Sequence, residues 1–287
     1  MTLSPIELGA PFSVADATPR PDNLPQFDGL DVRAAYNSDC RGGDFFHGLA
    51  IGSRVVFLLT DIAGRGPEVR QIAVQVQDAF RASARALFEP SGANESESIA
   101  ALAHDVNRSL IEAAHGVRFA PTFLGCFNLT LGTLTYHNAG SLLAVFHDAE
   151  GVRVLESGGI PLGLFTHNLY EPAVLAFEPR AKLLLVTKGI TERRCGSARF
   201  GSERVIQSLQ NSNTDSASVI CEAVLQEAYD FGNRPRSRVH GLLHPRKRRR
   251  SEDLTAVALV RPSHPGHDSA PIAHNALLGA RNMTEYP

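Results

Sequence analysis

The sequence predicts an α+β domain with antiparallel sheets at its core and helices packed outside them. Three observations lead to this fold class. Two amphipathic helix patterns follow the first strong strand pattern, a series of short apolar strands joined by tight turns comes next, and one more helix and a last strand close the pattern. No internal repeat is visible in the 287 residues.

A glycine turn separates the first strand from the first helix. VVFLLTD at 55–61 is a β-rich apolar run ending in a carboxylate, and Pro67 suits the first turn of the helix that follows Gly64 and Gly66. The helix is predicted to end near Pro90, and a second helix spans 95–115, with Gly116 as its stop. The predicted apolar faces comprise Val69, Ile72, Val76, Ala79, Phe80 and Leu87 in the first helix, and Ile99, Leu102, Val106, Leu110 and Ile111 in the second.

The pattern then changes to short strands. A pair of strands is predicted within 123–140 about a turn at Gly132, and a second hairpin turns near Glu150 and Gly151. Two more strands, a helix and a closing strand complete the domain. Their predicted ranges are 173–177, 182–187, 215–230 and 254–260.

Composition excludes several classes of protein. The chain has 43% hydrophobic and 20% charged residues, which is typical of a folded domain, and its formal charge of -2 argues against a general nucleic-acid coat. No stretch reaches the length of a membrane span, the N-terminus shows no secretory pattern, and the four cysteines form no CxxC, so reduced thiols in a cytoplasmic protein are expected. Residues 1–26 are predicted to be an extended arm, 27–261 the domain and 262–287 a flexible tail.

Acidic residues at the edges of short strands are the strongest chemical signal. Asp44 precedes a strand in GGDFF, Asp61 ends VVFLLTD and opens a glycine turn, and Glu252 and Asp253 stand directly before the closing strand. Strand ends allow a rigid scaffold to bring together side chains from distant sequence positions. Carboxylates beside tight glycine turns suit a hard cation such as Mg²⁺ or Mn²⁺. Taken singly, each acid is typical of a turn or cap, and only the set favours a metal site.

Six sequence blocks, in order, resemble the metal-dependent PPM protein phosphatases, in particular the bacterial SpoIIE/RsbU branch. The blocks are RGGDFFH (41–47), LLTDIAGRGPEV (58–69), YHNAGSLLAVF (136–146), SGGIPLGLF (157–165), LLLVTKGITERR (183–194) and EDLTAVAL (252–259). They are similar to the family's GGDFYD, DVSGHG, NAGH, GGPPLGL, LLLYTDGVTE and DDITLVVL. The resemblance implies a β-sandwich of two antiparallel sheets flanked by α-helices.

The resemblance also implies a reaction. In such phosphatases two Mg²⁺ or Mn²⁺ ions activate a water molecule that attacks a phosphoserine or phosphothreonine without a covalent intermediate. Asp61 would bridge the ions, while Asp44 and the Ile62 carbonyl would serve one of them, so Asp61 and Asp44 would carry the catalysis. Glu252 and Asp253 would complete the metal site. The substrate would be a phosphorylated regulatory protein, such as an anti-anti-sigma factor, in bacterial signalling.

Four positions depart from the family pattern. Lys188 replaces the aspartate of TDG, Glu252 replaces the first aspartate of the closing pair, His47 replaces the last aspartate of GGDFYD and Ser141 replaces the histidine after NAG. An ammonium in place of a ligand changes the local charge by two units, and at ~4 Å in an effective dielectric of ~20 each unit pair is worth about 4 kcal/mol. Glu252 keeps the charge but lengthens the side chain, which Mg²⁺ tolerates poorly.

Two functional hypotheses follow. In the first, the chain is a working phosphatase whose degenerate metal site, at Lys188 and Glu252, weakens its activity. In the second, it is a pseudophosphatase that binds a phosphoprotein or regulatory partner without turnover, with Lys188 contacting the phosphate. A solvated lysine after a strand is the alternative for Lys188.

Further basic residues are candidates for contacts to a phosphate or partner. Arg193 and Arg194 follow the Lys188 turn, and eight Arg or Lys residues fall within 234–250. This basic segment includes Arg246, Lys247 and Arg248. A solvated loop or electrostatic steering of an acidic partner are the alternatives. Nucleic acid is not expected as a partner, because the segment has no aromatic residue for base stacking.

Overall fold

A computed structural model describes residues 27, 29–36, 42–233 and 253–263. Twelve strands and five helices lie within these residues. The strands are β1 Asp31–Tyr36, β2 Gly42–Ile51, β3 Arg54–Arg65, β4 Thr122–Asn128, β5 Thr133–Ala139, β6 Leu143–Asp148, β7 Gly151–Val154, β8 Ala173–Ala176, β9 Lys182–Val186, β10 Arg194–Cys195, β11 Ala198–Arg199 and β12 Thr255–Val260. The helices are α1 Pro67–Phe88, α2 Glu95–Ala113, α3 Lys188–Thr191, α4 Gly201–Gln210 and α5 Ala217–Asn233.

Ten of these strands form two antiparallel sheets of five. One sheet has the order β1-β12-β9-β6-β7 and the other has the order β2-β3-β4-β5-β8. Their inner faces share an aromatic-rich core that includes Phe57, Phe123 and Phe146. The predicted α+β sandwich of two antiparallel sheets flanked by helices is therefore confirmed.

Helices cover the outer face of each sheet. Helices α1 and α2 pack on β2, β3 and β4, while α4 and α5 pack on β6, β9 and β12. In β9 successive side chains point to opposite faces of the sheet. Leu183 and Leu185 enter the core between the two sheets, and Leu184 and Val186 pack against the helices. A strand with both faces buried is apolar throughout, which explains the unbroken run KLLLV.

Two predictions about strand ends are wrong. Asp44 lies inside β2, because Gly42 and Gly43 form a β-bulge in the strand and not a turn before it. Asp61 does not end β3, which continues to Arg65. The additional residues stay extended because Asp61 and Ala63 donate backbone hydrogen bonds to the carbonyls of Pro121 and Phe119.

The arm, the basic segment and the tail lie outside the described residues, except for the first two residues of the tail, 262 and 263. The described cysteines Cys126, Cys195 and Cys221 are free thiols, and Cys40 is not described. Within the described part of the chain, none of the helices combines the length and apolar character needed to cross a bilayer.

His47 gives the fold a pH-dependent stability. Burial, and to a smaller extent the Arg81 charge, lower the pKa of His47 from 6.5 to about 4. Its Nδ1 lies 3.0 Å from Gln77 Nε2, an amide donor, and its ring meets Phe80 edge-on, so the folded protein holds a neutral imidazole. Between pH 6.5 and about 4 the unfolded chain therefore binds a proton that the folded chain does not.

We expect this histidine to stabilise the fold fully above pH 6.5, with a loss of about 2–3 kcal/mol as the pH falls towards 4. Urea denaturation of the wild type and of His47→Gln at several pH values gives the free energy of unfolding of each protein. The loss is the difference between the two proteins in the slope of this free energy against pH. The exposed His167→Gln is the matched control and should keep the wild-type slope. A His47→Gln variant with the wild-type pH dependence would contradict the assignment.

Candidate active site

A pocket of about 220 Å³ lies where the two sheets meet at one end of the sandwich. It brings together Asp44 of β2, Asp61 of β3, Lys188 after β9 and Asp253 before β12. The complete lining is Gly43, Asp44, Asp61, Gly64, Arg65, Lys188, Gly189, Glu192 and Asp253. Residues separated by up to 210 positions in sequence thus share one cavity with four carboxylates and two cationic side chains.

Asp44 and Asp61 form a cross-strand pair. They are directly opposite each other in the antiparallel register of β2 and β3. Such partners have Cβ atoms about 4.5–5.5 Å apart, and like charges at these positions are destabilising. Gly43 permits the close approach of the two strands, because a Cβ there would collide with the Ile62 carbonyl oxygen and lie 2.8 Å from Val69 Cγ1. The pair is a charge conflict that a bound cation would relieve.

Two buried threonines from the opposite sheet hold Asp44 in place. The hydroxyls of Thr187 and Thr255 donate to Asp44 Oδ2 at 2.7 and 3.0 Å. Thr187 also donates its backbone N–H to the Thr255 carbonyl, so the ends of β9 and β12 act as one unit. One Asp44 oxygen is therefore committed to joining the two sheets at the pocket.

Burial raises the pKa of both aspartates. For Asp44, burial is the largest cause and the charge of Asp61 adds to it, while the threonine hydroxyls oppose the rise. For Asp61, burial again dominates, and the hydrogen bond from Asp44 and the Lys188 ammonium lower the pKa. Burial and the mutual charge of the two groups therefore oppose the ionisation of both carboxyls at once in the absence of a cation.

Lys188 begins the short helix α3 and lines the pocket with an exposed side chain. Its ammonium acts electrostatically on Asp61, and its backbone N–H donates to the same carboxylate. The next residue, Gly189, packs against the backbone of Asp253, where any Cβ would collide with the Asp253 carbonyl. This close contact keeps Lys188 and Asp253 in one cavity.

Among the described residues, the pocket carboxylates are donors of the kind that a divalent cation binds. Mg²⁺ is commonly bound through one or two carboxylates while it keeps several waters. The Asp44–Asp61 pair supplies such donors. Among the described residues, no group of three or more His, Cys, Asp or Glu side chains could hold a metal ion. A second cation would share the cavity with the Lys188 ammonium, which opposes it.

Some predicted site residues lie elsewhere. The Ile62 side chain is buried beneath α1, whereas its carbonyl oxygen lies beside Gly43 of the pocket lining, so the predicted role of that carbonyl stays a prediction. Arg193 packs its guanidinium against Gly232 of α5, so it turns away from the pocket. Arg194 belongs to the small β10–β11 hairpin and is absent from the pocket lining.

Four further predicted residues are not described by the structure: Glu252, Arg246, Lys247 and Arg248. Their roles therefore stay predictions.

Sequence reasoning missed four functional candidates. Arg65 and Glu192 line the pocket, and Thr187 and Thr255 hold Asp44. Arg65 and Glu192 could have been found from their place inside two of the matched blocks. The threonines lie inside two matched blocks as well, at 183–194 and 252–259, but a hydroxyl at a strand end is ordinary until its acceptor is known.

Several solved structures share this fold. The crystal structure of the RsbU and RsbW domains of Rv1364c from Mycobacterium tuberculosis matches with a TM-score of 0.64 and 21% identity, over 84% of this chain and 63% of that one. The PP2C domain of SiaA from Pseudomonas aeruginosa gives 0.64 and 15%, over 80% and 85%. The PP2C domain with a regulatory fragment of SpoIIE from Bacillus subtilis gives 0.61 and 14%, over 80% and 63%. The chain has the PP2C, or PPM, phosphatase fold.

The family follows from the sequence comparison. The family model of Stage II sporulation protein E (SpoIIE) matches residues 51–237, and the chain belongs to this family. Protein IcfG of Synechocystis is 28% identical over 121 residues, which are 41% of this chain and 19% of IcfG. The chain therefore spans about a fifth of the length of that relative. The predicted resemblance to the SpoIIE/RsbU branch of the PPM phosphatases is confirmed.

Proposed function

We propose that residues 27–261 form a cytoplasmic, metal-dependent serine/threonine protein phosphatase that acts on a phosphorylated regulatory protein in bacterial signalling. The observation that carries the proposal is the Asp44–Asp61 pair, two crowded carboxylates facing each other in a pocket that also holds two cationic side chains. The similar structure of RsbX was solved in complex with magnesium, which supports Mg²⁺ or Mn²⁺ as the cofactor. A relative that joins RsbU and RsbW domains supports a regulatory protein partner such as an anti-anti-sigma factor.

In the proposed site, Asp44 and Asp61 hold one divalent cation, with Asp253 at the edge of the pocket. When bound, such an ion lowers the pKa of a coordinated water and neutralises phosphate charge. Thr187 and Thr255 fix the Asp44 carboxylate, while Lys188 adds a positive charge in the region of a second ion. The degenerate site should work more weakly than one with two cations, because an ammonium cannot activate water as a metal ion does.

Arg65 is the proposed phosphate-binding residue. Its exposed guanidinium lines the pocket at the end of β3, four residues beyond Asp61. A guanidinium binds two phosphate oxygens at once, which orients the phosphate towards the carboxylate pair. The same contact serves the ground state and the transition state.

We expect Arg65→Gln to raise KM for p-nitrophenyl phosphate about tenfold and to leave kcat nearly unchanged, because uniform binding affects KM alone. Steady-state kinetics with Mn²⁺ measure both constants. The matched control is Arg85→Gln at the exposed end of α1, which should behave as the wild type. A loss confined to kcat would contradict this role for Arg65.

Lys188 favours a second candidate function, that of a pseudophosphatase. An ammonium inside the pocket can bind a phosphate without any metal, so the chain would capture a phosphoprotein or regulatory partner and not release phosphate. Mn²⁺-dependent phosphate release from a phosphoserine protein and from p-nitrophenyl phosphate tests the first proposal against the second. Turnover supports the phosphatase; retained phosphoprotein binding with no turnover would overturn it.

A further inference from the structure

Four exposed apolar side chains lie together on two neighbouring loops, and we call them the apolar rim. Val117 and Phe119 precede β4, and Leu164 and Phe165 follow the PLG turn. Their exposed fractions are 75% for Val117, 39% for Phe119, 47% for Leu164 and 59% for Phe165. Adjacent apolar side chains exposed in this way mark a site of interaction more often than scattered ones do.

Hydrogen bonds fix the two loops of the apolar rim to each other. Ala120 and Leu162 exchange backbone hydrogen bonds at 2.8 and 3.0 Å. The buried Asn107 of α2 accepts from the Gly163 N–H at 2.7 Å and donates to the Phe165 carbonyl at 2.9 Å. The rim is therefore held in one conformation before any partner arrives, which lowers the entropy lost on binding.

The apolar rim lies beside the strand that supplies Asp61, although its four side chains are not part of the pocket lining. Asp61 and Ala63 donate backbone hydrogen bonds to Pro121 and Phe119, so the rim segment runs about one strand spacing, ~4.8 Å, from the strand that carries Asp61. Arg118, between the two rim residues, donates to the Ala63 carbonyl at 3.0 Å and pairs with Glu68 at 3.2 Å. A chain with one residue in the pocket would lay its neighbouring residues across the rim.

We propose that the apolar rim docks apolar side chains that flank the phosphorylated residue of the protein substrate. The inference rests on the proposed function and specifies its substrate class: a phosphoserine or phosphothreonine beside large apolar residues. Arg65 and Lys188 attract the phosphate, and the rim selects among phosphoproteins by the apolar surface beside it. Continuity with the pocket favours this occupant over a second copy of the chain.

Two fluorescent phosphoserine peptides test the proposal. One carries Leu and Phe at the two positions on either side of the phosphoserine, and the other carries Ser and Gly there. Fluorescence anisotropy with the wild-type chain in EDTA, where metal-dependent hydrolysis is prevented, should show about tenfold tighter binding of the apolar peptide. The double variant Val117→Ser/Phe165→Ser should bind both peptides equally.

The matched control is Leu131→Ser, an equally exposed apolar residue beyond the opposite end of β4, which should keep the preference. Hydrolysis of p-nitrophenyl phosphate is measured in parallel: its absence would overturn the proposed phosphatase and leave the peptide preference as an independent result. Equal binding of the two peptides by the wild type would overturn the docking proposal. So would sedimentation showing that the double variant converts a dimer into monomers, because a second copy would then occupy the rim.

Discussion

Replacing Asp61 with asparagine is expected to abolish Mn²⁺-dependent hydrolysis of p-nitrophenyl phosphate, with a loss of about 100-fold or more. The metal contributes several kcal/mol to such reactions, and each ~1.4 kcal/mol is a factor of ten in rate. The same change should stabilise the metal-free fold by about 1 kcal/mol, because it removes a like charge from the position opposite Asp44. Activity and stability would therefore move in opposite directions, as is common at functional sites.

Steady-state assays and urea denaturation in EDTA measure the two effects on Asp61→Asn. Asp78→Asn on the exposed face of α1 is the matched control and should change neither quantity appreciably. If Asp61→Asn lost both activity and stability, the aspartate would be a structural residue and the charge conflict would not exist. Full activity in the variant would reject the carboxylate pair as the metal site.

The second large effect is expected for Lys188→Asp, which should raise Mn²⁺-dependent activity at least about tenfold. The substitution changes the charge in the pocket by two units and restores the residue type that the family places there. Lys188→Ala separates the two contributions, since it removes the opposing ammonium without adding a ligand. We expect its activity to fall between those of the wild type and Lys188→Asp.

The control for Lys188→Asp is Arg85→Asp, which makes the same charge change on the exposed end of α1, away from the pocket lining. It should leave the activity at the wild-type level. A lower activity in Lys188→Asp than in the wild type would mean that Lys188 itself contributes to turnover. In that case the lysine would be a functional replacement for a cation and not a defect.

Much of the fold is readable from the sequence because the periodicity is strong where one face of an element is buried. Helix α1 begins at Pro67 as predicted, and the hairpins about Gly132 and Gly151 are present. Helix α4 was missed because it has only ten residues, of which Val205 and Leu209 are buried, so its apolar face is short. The β10–β11 hairpin has two residues in each strand and no period at all.

The site is readable only in part. Family blocks indicate Asp44, Asp61, Lys188 and Asp253, and the structure places all four in one pocket. Sequence reading could not show that Asp44 and Asp61 face each other, because this depends on the register of β2 and β3. It also could not separate Arg65, which lines the pocket, from Arg193, which packs on α5, because both are arginines a few residues beyond an apolar run of the sequence.

Calorimetric titration of Mn²⁺ into the wild-type chain and into Lys188→Asp tests the central claim most directly. With the Asp44–Asp61 pair as the donors and the Lys188 ammonium beside them, we expect one ion for the wild type and two for the variant. Two ions in the wild type, with affinities that Lys188→Asp does not change, would contradict the claim. The claim would also be contradicted if neither the wild type nor Asp61→Asn bound Mn²⁺.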